Sequence, residues 1–496
     1  MTGPSEEFMR TPFAEVGAEH HTAHDKSARV SASTSPGASR RAIVIGAGIA
    51  GLLAARVLTD HFDSVHIIER DELPDEPASR KGIPQARYVH QLLMRGRLIL
   101  EQLFPGIEDE LISLGAVPID WHADVHWFGP AGWMARGEPG FVTCSTSRDL
   151  LEFVVRRRVL SCERITVQAS CEVVGLLPGA APGTAGGIRA RSRTQQSMVS
   201  EIAAALVVDA SGRSSHMPGW LRELGYEAPQ ETIVNAFVGY ASRVYRMPPG
   251  HAATNWKALV VHSRPPGCVR GGTIFPIEGS RWIVTLTGAG GDYPPADEDG
   301  FLAFARSLRI SALYEAIASA EPLTPVHHYR RMENRLRHYE RVTRWPDGVV
   351  VVGDAVCGFN PVYGQGMTVS AIDAQLLDAH LKAAAGKHVI GHAFQREAAA
   401  ARRAAWTLST GVDYRYEKTL GPRRAWHTRV MQRYMDHVIG LAAEREDTYQ
   451  RLLHVMHMVA PPVSLLAPAM AARVALRSVV AQTLGKRGPS DISVGR

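Results

Sequence analysis

The ten residues Ala42–Gly51, AIVIGAGIAG, constrain the fold more than any other stretch of this chain. A short β-branched run ends in Gly46-Ala47-Gly48-Ile49-Ala50-Gly51, and a helical pattern, IAGLLAARVLTDHF, follows at once. A strand, a GxGxxG turn and a helix in that order predict the first unit of a dinucleotide-binding fold. The first glycine permits the tight turn, the second lets the backbone approach a pyrophosphate, and the third lets helix and strand pack closely. The helix N-terminus then faces the phosphates. Glu69 and Arg70 close the next apolar run, SVHIIE, 23 residues beyond Gly46. A carboxylate there accepts from ribose hydroxyls and repels a 2′-phosphate, which points to FAD or NAD rather than NADP.

Strand and helix patterns alternate onward through SRDLLEFVVRRRVL and AALVVDASG, and this βα order predicts a parallel sheet covered by helices. From about Thr232 to Glu340 the pattern becomes that of an antiparallel sheet, with a hairpin at Glu278-Gly279-Ser280 and a helix near GFLAFARSL. The turn-rich, aromatic stretch 121–144 is assigned to the same unit. The expected class is α/β: a Rossmann-like dinucleotide-binding domain (41–120, 145–231 and 341–390), which the resemblance given below makes FAD-binding, interrupted by an antiparallel-sheet substrate domain (121–144 and 232–340). A helical C-terminal region (391–496) completes it, and residues 1–40, rich in Ser, Gly, Ala and charge, read as a disordered lead-in. GTAGG at 183–187 reads as a loop.

Composition removes several function classes. No run of about 18 apolar residues is present, so no transmembrane segment is expected, and the first residues lack the apolar core of a secretory signal. Five cysteines without CxxC or metal-like spacing predict a reduced, cytoplasmic protein with no metal site. The net charge of +6 is uneven: residues 401 onward carry 15 Lys/Arg against 7 Asp/Glu. That is a solvated helical face or a patch for an acidic partner. No nucleic-acid-binding signature accompanies it.

A second constellation lies in the last third. Gly353-Asp354 follows GVVVV, then come Pro361, Gly364-Gln365-Gly366-Met367 and a helix. Asp209 to Ser214, DASGRS, forms another strand–turn element around Gly212. Together these resemble the GD motif, the flavin-edge helix start and the second strand–turn element of FAD-dependent monooxygenases of the para-hydroxybenzoate hydroxylase fold. RKGIPQARYVHQLL, EPLTPVHHYRRMENRL and WPDGVVVVGDAVCGFNPVYGQGM are similar to bacterial polyene epoxidases of polyether-antibiotic pathways.

This resemblance implies FAD as cofactor, with Asp354 at the ribityl chain and Pro361, Gly364, Gln365, Gly366 and Met367 at the flavin edge. Arg148 would lie near ribose and phosphate, and Lys81, Gly82 and His90 on the loop beside the flavin. His90 reads either as a packing residue or as a proton donor. Thr368 stands where the family has Asn. The implied reaction is oxygen insertion from O2 through a C4a-hydroperoxide into an apolar substrate, with epoxidation of a polyene or polyketide as the leading expectation. The implied reductant is NAD(P)H, directly or through a flavin reductase. Such chemistry is carried by the cofactor, so no catalytic triad is expected. An aromatic hydroxylase, a prenyl or polyene reductase and a non-catalytic flavin-binding regulator remain as alternatives. The halogenase motif WxWxIP is absent. Trp121, Trp127, Phe128, Phe237, Tyr245, Phe275 and Phe359 are candidates to wall an apolar pocket or to pack the core.

Overall fold

A computed structural model describes residues 40–194, 198–251, 254–330, 332–384, 390–423 and 426–485. The lead-in expected at 1–40 lies, apart from Arg40, outside these. Five parallel strands form the centre, in the order Val349–Val351, Leu206–Asp209, Arg41–Ile45, Ser64–Ile68, Ile165–Gln168. Alternate residues of a strand point to opposite faces, and here both faces are buried. Ala42 and Val44 join the cluster under the helices Ile49–Leu58, Arg148–Leu160 and Gln365–Ala383. Ile43 and Ile45 face the other side, with Val173, Ile188, Met217 and Trp345. This double burial explains the unbroken apolar run at 42–45. The α/β class read from the sequence is the one observed, with several sheets and a helical C-terminal region.

The second sheet has seven strands, in the order His327–Tyr329, Gly239–Arg246, Arg281–Gly288, Arg270–Ile277, Ala258–Val261, Val125–Gly129, Gly132–Trp133. Its pairs are antiparallel except that Val125–Gly129 runs parallel to Ala258–Val261. At the expected hairpin Gly279 has φ +74° and Ser280 φ +53°, the left-handed residues that a tight reversal needs.

One sequence expectation needs correction here, and one open alternative is resolved. GTAGG is not simply a loop, because Ala185–Ser192 is the middle strand of a three-stranded sheet with Cys171–Pro178 and Val199–Ala203. A Cβ on Gly187 would lie 2.1 Å from the Ile202 carbonyl oxygen, so this glycine serves close strand approach rather than a turn. Of the aromatic candidates, Trp121, Trp127, Phe275 and Tyr245 are core residues, and only Phe359 lines the cleft described below.

The C-terminal helices Trp426–Glu444 and Glu446–Met456 cover one face of the mixed sheet, through Val438, Leu441, Tyr449, Leu452 and Leu453. His457 follows them, 2% exposed. Its ring lies edge-on to Trp121 at 4.5 Å and to Phe141 at 4.9 Å, and its Nδ1 accepts the Met94 N–H at 3.2 Å. Burial, with His454 and His122 nearby, lowers its pKa to about 3. Burial and Arg309 lower His262 to about 4, and burial lowers His454 as well. These rings are neutral when folded and protonate near 6.5 when unfolded. For His457 and His262 that stability is present above that pH and is lost as the pH falls toward 4, at about 1.4 kcal/mol per group per pH unit, and His454 adds in the same direction. Thermal unfolding of the holoprotein is therefore expected to move to lower temperature between pH 7 and pH 4.5, and less steeply in His457→Gln. Equal slopes would contradict this account.

Candidate cofactor and active site

One cleft, with about 1500 Å³ of empty volume including its solvent-open mouth, runs between the two motif regions. Gly46, Gly48, Ile49 and Ala50 line one end, and Pro361, Gly364, Gln365, Gly366 and Met367 the other. Glu69, Arg70, Gly82, His90, Arg148, Gly212 and Asp354 also face it. Two helix N-termini, at Ile49 and Gln365, thus open onto the same space, each with first-turn N–H groups that no helical carbonyl satisfies.

Ala47, Gly51, Asp209 and Gly353 stand behind this surface. Gly51 has the Gly46 carbonyl oxygen 1.9 Å from where its Cβ would be. Gly353, at φ +58°, has the Ala50 Cβ 2.7 Å from its own virtual Cβ, so the two motifs touch back to back. Asp209 is fully buried and accepts from the Ser211 N–H at 2.9 Å and from the Ser211 and Ser215 hydroxyls. Its role is to shape the turn. Lys81 is exposed and does not line the cleft; the cation turned inward on that loop is its neighbour Arg80.

Arg80 is a centre of the site that sequence reasoning missed. Its guanidinium pairs with Glu69 (3.1 Å), Glu152 (2.9 Å) and Asp71 (3.4 Å), and it donates to the Ala47 carbonyl at 3.0 Å. Glu69 in turn accepts the Ala47 N–H at 2.6 Å and the Asp71 N–H at 2.9 Å. The carboxylate expected to take a ribose is therefore already fixed by three protein donors, which leaves its remaining lone pairs for a ligand. Glu152 extends the chain to Arg148 at 2.8 Å. Ser147 caps that helix by accepting the Leu150 N–H, which puts Arg148 on its first turn. Arg148 Nη1 is buried and has no partner.

At the other end, Gln91 donates to Ser145, and its Oε1, like Gln365 Oε1, is buried without a partner. His90 Nδ1 lies 2.9 Å from the Tyr88 carbonyl and donates to it, leaving Nε2 as an acceptor. Burial and the charge of Arg148 lower its pKa to about 4, so near neutral pH it carries no acidic proton to give. Burial raises the Asp354 carboxyl, against the pull of Arg213 and Arg148. Cys357 is buried in the core beside this turn.

The helix Gly391–Asp413, in a region with no recognisable motif, braces the turn at 351–353. Gln395 donates to the Val351 carbonyl at 3.0 Å. Arg402 pairs with Asp373 at 2.7 Å, and both side chains are at most 2% exposed. Asp373 also accepts the Gly353 N–H at 2.8 Å. Asp373 matches the motif resemblance at the start of its helix, whereas no sequence signal distinguished Gln395 or Arg402, because isolated polar residues in a helical pattern read as a solvated face.

The cleft fits FAD. It pairs two helix N-termini with a buried, unpartnered guanidinium N–H for phosphate. It offers unpartnered amide oxygens for hydroxyl or ring N–H groups, and open space at Gly48, where a Cβ would meet nothing within 4 Å. Among solved structures, the flavin-dependent brominase Bmp2 superposes with a TM-score of 0.61 at 14% identity, over 90% of this chain and 99% of that one. A flavoprotein/dehydrogenase from Cytophaga hutchinsonii gives 0.62 at 15% identity over 90% and 99%. Pseudomonas aeruginosa PqsL in complex with 2-aminobenzoylacetate gives 0.56 at 15% identity over 76% and 97%. Likeness at such identities is one of fold. In sequence, Protein Rv3254 of Mycobacterium tuberculosis (strain ATCC 25618 / H37Rv) is 35% identical over 359 residues, 69% of this chain and 73% of that protein. The FAD binding domain family matches residues 40–405, which takes in both ends of the cleft and most of the bracing helix, and the chain belongs to that family.

Proposed function

We propose that this protein is an FAD-dependent monooxygenase that transfers one oxygen atom from O2 to an alkene of an apolar polyene or polyketide. The observation that carries the reading is the start of the helix Gln365–Ala383, whose Gly364 and Gly366 line the cleft that the fingerprint turn opens. Reduced FAD bound there would supply oxygen activation. The chain's own residues bind and orient it, and the N–H groups at Gln365, Gly366 and Met367 hold the negative charge of the reduced ring. Arg148 is the candidate phosphate or ribose contact, and Asp354 the candidate ribityl contact. A separate flavin reductase or NAD(P)H itself would deliver the electrons.

Two features favour oxygen transfer to an alkene over its neighbours in chemistry. Lys81 is exposed and does not line the cleft, so it offers no amine there to carry a halogen to the substrate. His90 is a weak base, so it is poorly suited to ionising a phenol, a step that epoxidation does not require. The test is incubation of reduced holoprotein with candidate polyenes under labelled O2, read by mass. One labelled oxygen in the product is expected. A product that gains two hydrogens and no oxygen would make the protein a reductase.

A further inference from the structure

We propose that Asp413, the last residue of the helix Gly391–Asp413, is a positioning residue of the flavin-side turn. It would hold Asn360 and Tyr363 so that Pro361, Gly364 and Gly366 present one fixed backbone to the isoalloxazine edge. The proposal rests on the reading that this turn faces the flavin ring.

Asp413 is fully buried. Its Oδ1 accepts from the Tyr363 hydroxyl at 2.7 Å and from Asn360 Nδ2 at 3.0 Å, and its Oδ2 accepts from Asn334 Nδ2 at 2.6 Å. The second amide of the group is equally committed. Asn334 Oδ1 accepts the Asn360 N–H at 2.8 Å and the Ser409 hydroxyl at 2.6 Å. Asn360 Oδ1 accepts the Val362 N–H at 3.2 Å. One carboxylate therefore gathers donors from the turn and from the strand Asn334–Arg337, whose Asn334 in turn accepts from Ser409 on the carboxylate's own helix.

The turn has few other means of attachment. Pro361 has no N–H to give, and Val362 is 38% exposed. The side chains of Asn360 and Tyr363 thus flank Pro361 as anchors, and both end on Asp413. Gly364 follows Tyr363 directly, at φ +64°, and starts the helix whose N–H groups face the cleft. A displaced Tyr363 would displace those donors.

An amide in place of the carboxylate fills the same volume but directs an N–H at a neighbour that is itself a donor. If its oxygen meets Asn360 and Tyr363, its nitrogen meets Asn334 Nδ2; reversed, it meets Asn360 Nδ2. A buried polar network with one such conflict relaxes by moving.

The test compares FAD-loaded Asp413→Asn, Tyr363→Phe and Asp447→Asn with the unaltered protein. The last alters a surface ion pair with Arg473. Asp413→Asn is expected to weaken FAD binding about tenfold, to shift the visible absorption bands of bound FAD and to move its midpoint potential. Tyr363→Phe should show the same shifts at smaller size, and Asp447→Asn none. A lowered thermal midpoint in both turn variants, with FAD affinity, spectrum and potential unchanged, would overturn the proposal and make Asp413 a brace for its helix alone. If Asp413→Asn yields no folded protein, Tyr363→Phe decides, and unchanged flavin properties there overturn it. These readouts need neither substrate nor O2, so their outcome is separate from that of the labelled-oxygen experiment.

Discussion

Gly51→Ala is expected to lose FAD during purification and to unfold at lower temperature than the unaltered apoprotein. The added methyl would sit 1.9 Å from the Gly46 carbonyl oxygen, a backbone atom that has nowhere to retreat. Gly46 is pinned by its own N–H, which donates to the Ile68 carbonyl at 2.8 Å. It also lies against the residue just past the neighbouring strand Leu206–Asp209, where a Cβ on Gly46 would meet the Ala210 carbonyl oxygen at 2.8 Å. Overpacking of this kind costs about 1–3 kcal/mol, and it shifts the turn that must receive the pyrophosphate. Gly48→Ala supplies the contrast. Its methyl meets no protein atom within 4 Å, so apoprotein stability should stay within about 0.5 kcal/mol while FAD affinity falls, because the methyl projects into the cofactor's space. Unfolding of the two apoproteins and FAD titration of each separate the effects. Equal behaviour of the two variants would contradict the division of roles between these glycines.

Arg402→Met is expected to cost about 3–5 kcal/mol in urea unfolding, because it leaves Asp373 buried without its counter-charge. The Asp373 side chain is 1% exposed, and its remaining partner is the Gly353 N–H. Adding Asp373→Asn to Arg402→Met should recover much of the loss, since an amide in that position still accepts from Gly353 and carries no charge to strand. A single variant costing under about 1 kcal/mol would show that the pair is solvated in solution. Loss of the pair would also free the N-terminal side of Gly353, so weaker FAD binding should accompany the instability.

Much of this architecture was legible because it depends on local pattern. The run at 42–45, the glycine spacing at 46–51 and the proline and glycines at 361–366 each demand a backbone conformation that few other residues tolerate, so they announce themselves. The alternating pattern at 270–288 did so as well. Single glycines were less reliable guides. Gly187 read as a loop residue because spacing alone cannot tell a turn from a close approach between strands. Lys81 and Arg80 are adjacent, and sequence offered no means to say which turns inward; the three carboxylates that gather Arg80 come from positions 69, 71 and 152. The bracing role of Gln395, Arg402 and Asp413 was invisible for the same reason. Each is one polar residue on a helix, and only the tertiary fold shows that it ends on the backbone or side chains that hold the turns at 351–364.

The contact between Gly353 and Ala50 bears on how such a protein comes into being. The glycine turn at 46–51 is made early in synthesis, while the turn that backs onto it at Gly353 is some 300 residues further along, and the helix that steadies the latter comes later still. A nascent chain therefore holds half a receptor for most of its translation, and contacts this distant in sequence form slowly. Cofactor capture becomes a late event that seals distant segments together. Cellular FAD supply should then govern how much of the newly made protein survives proteolysis, since a ligand that binds only the closed form protects it in proportion to its concentration.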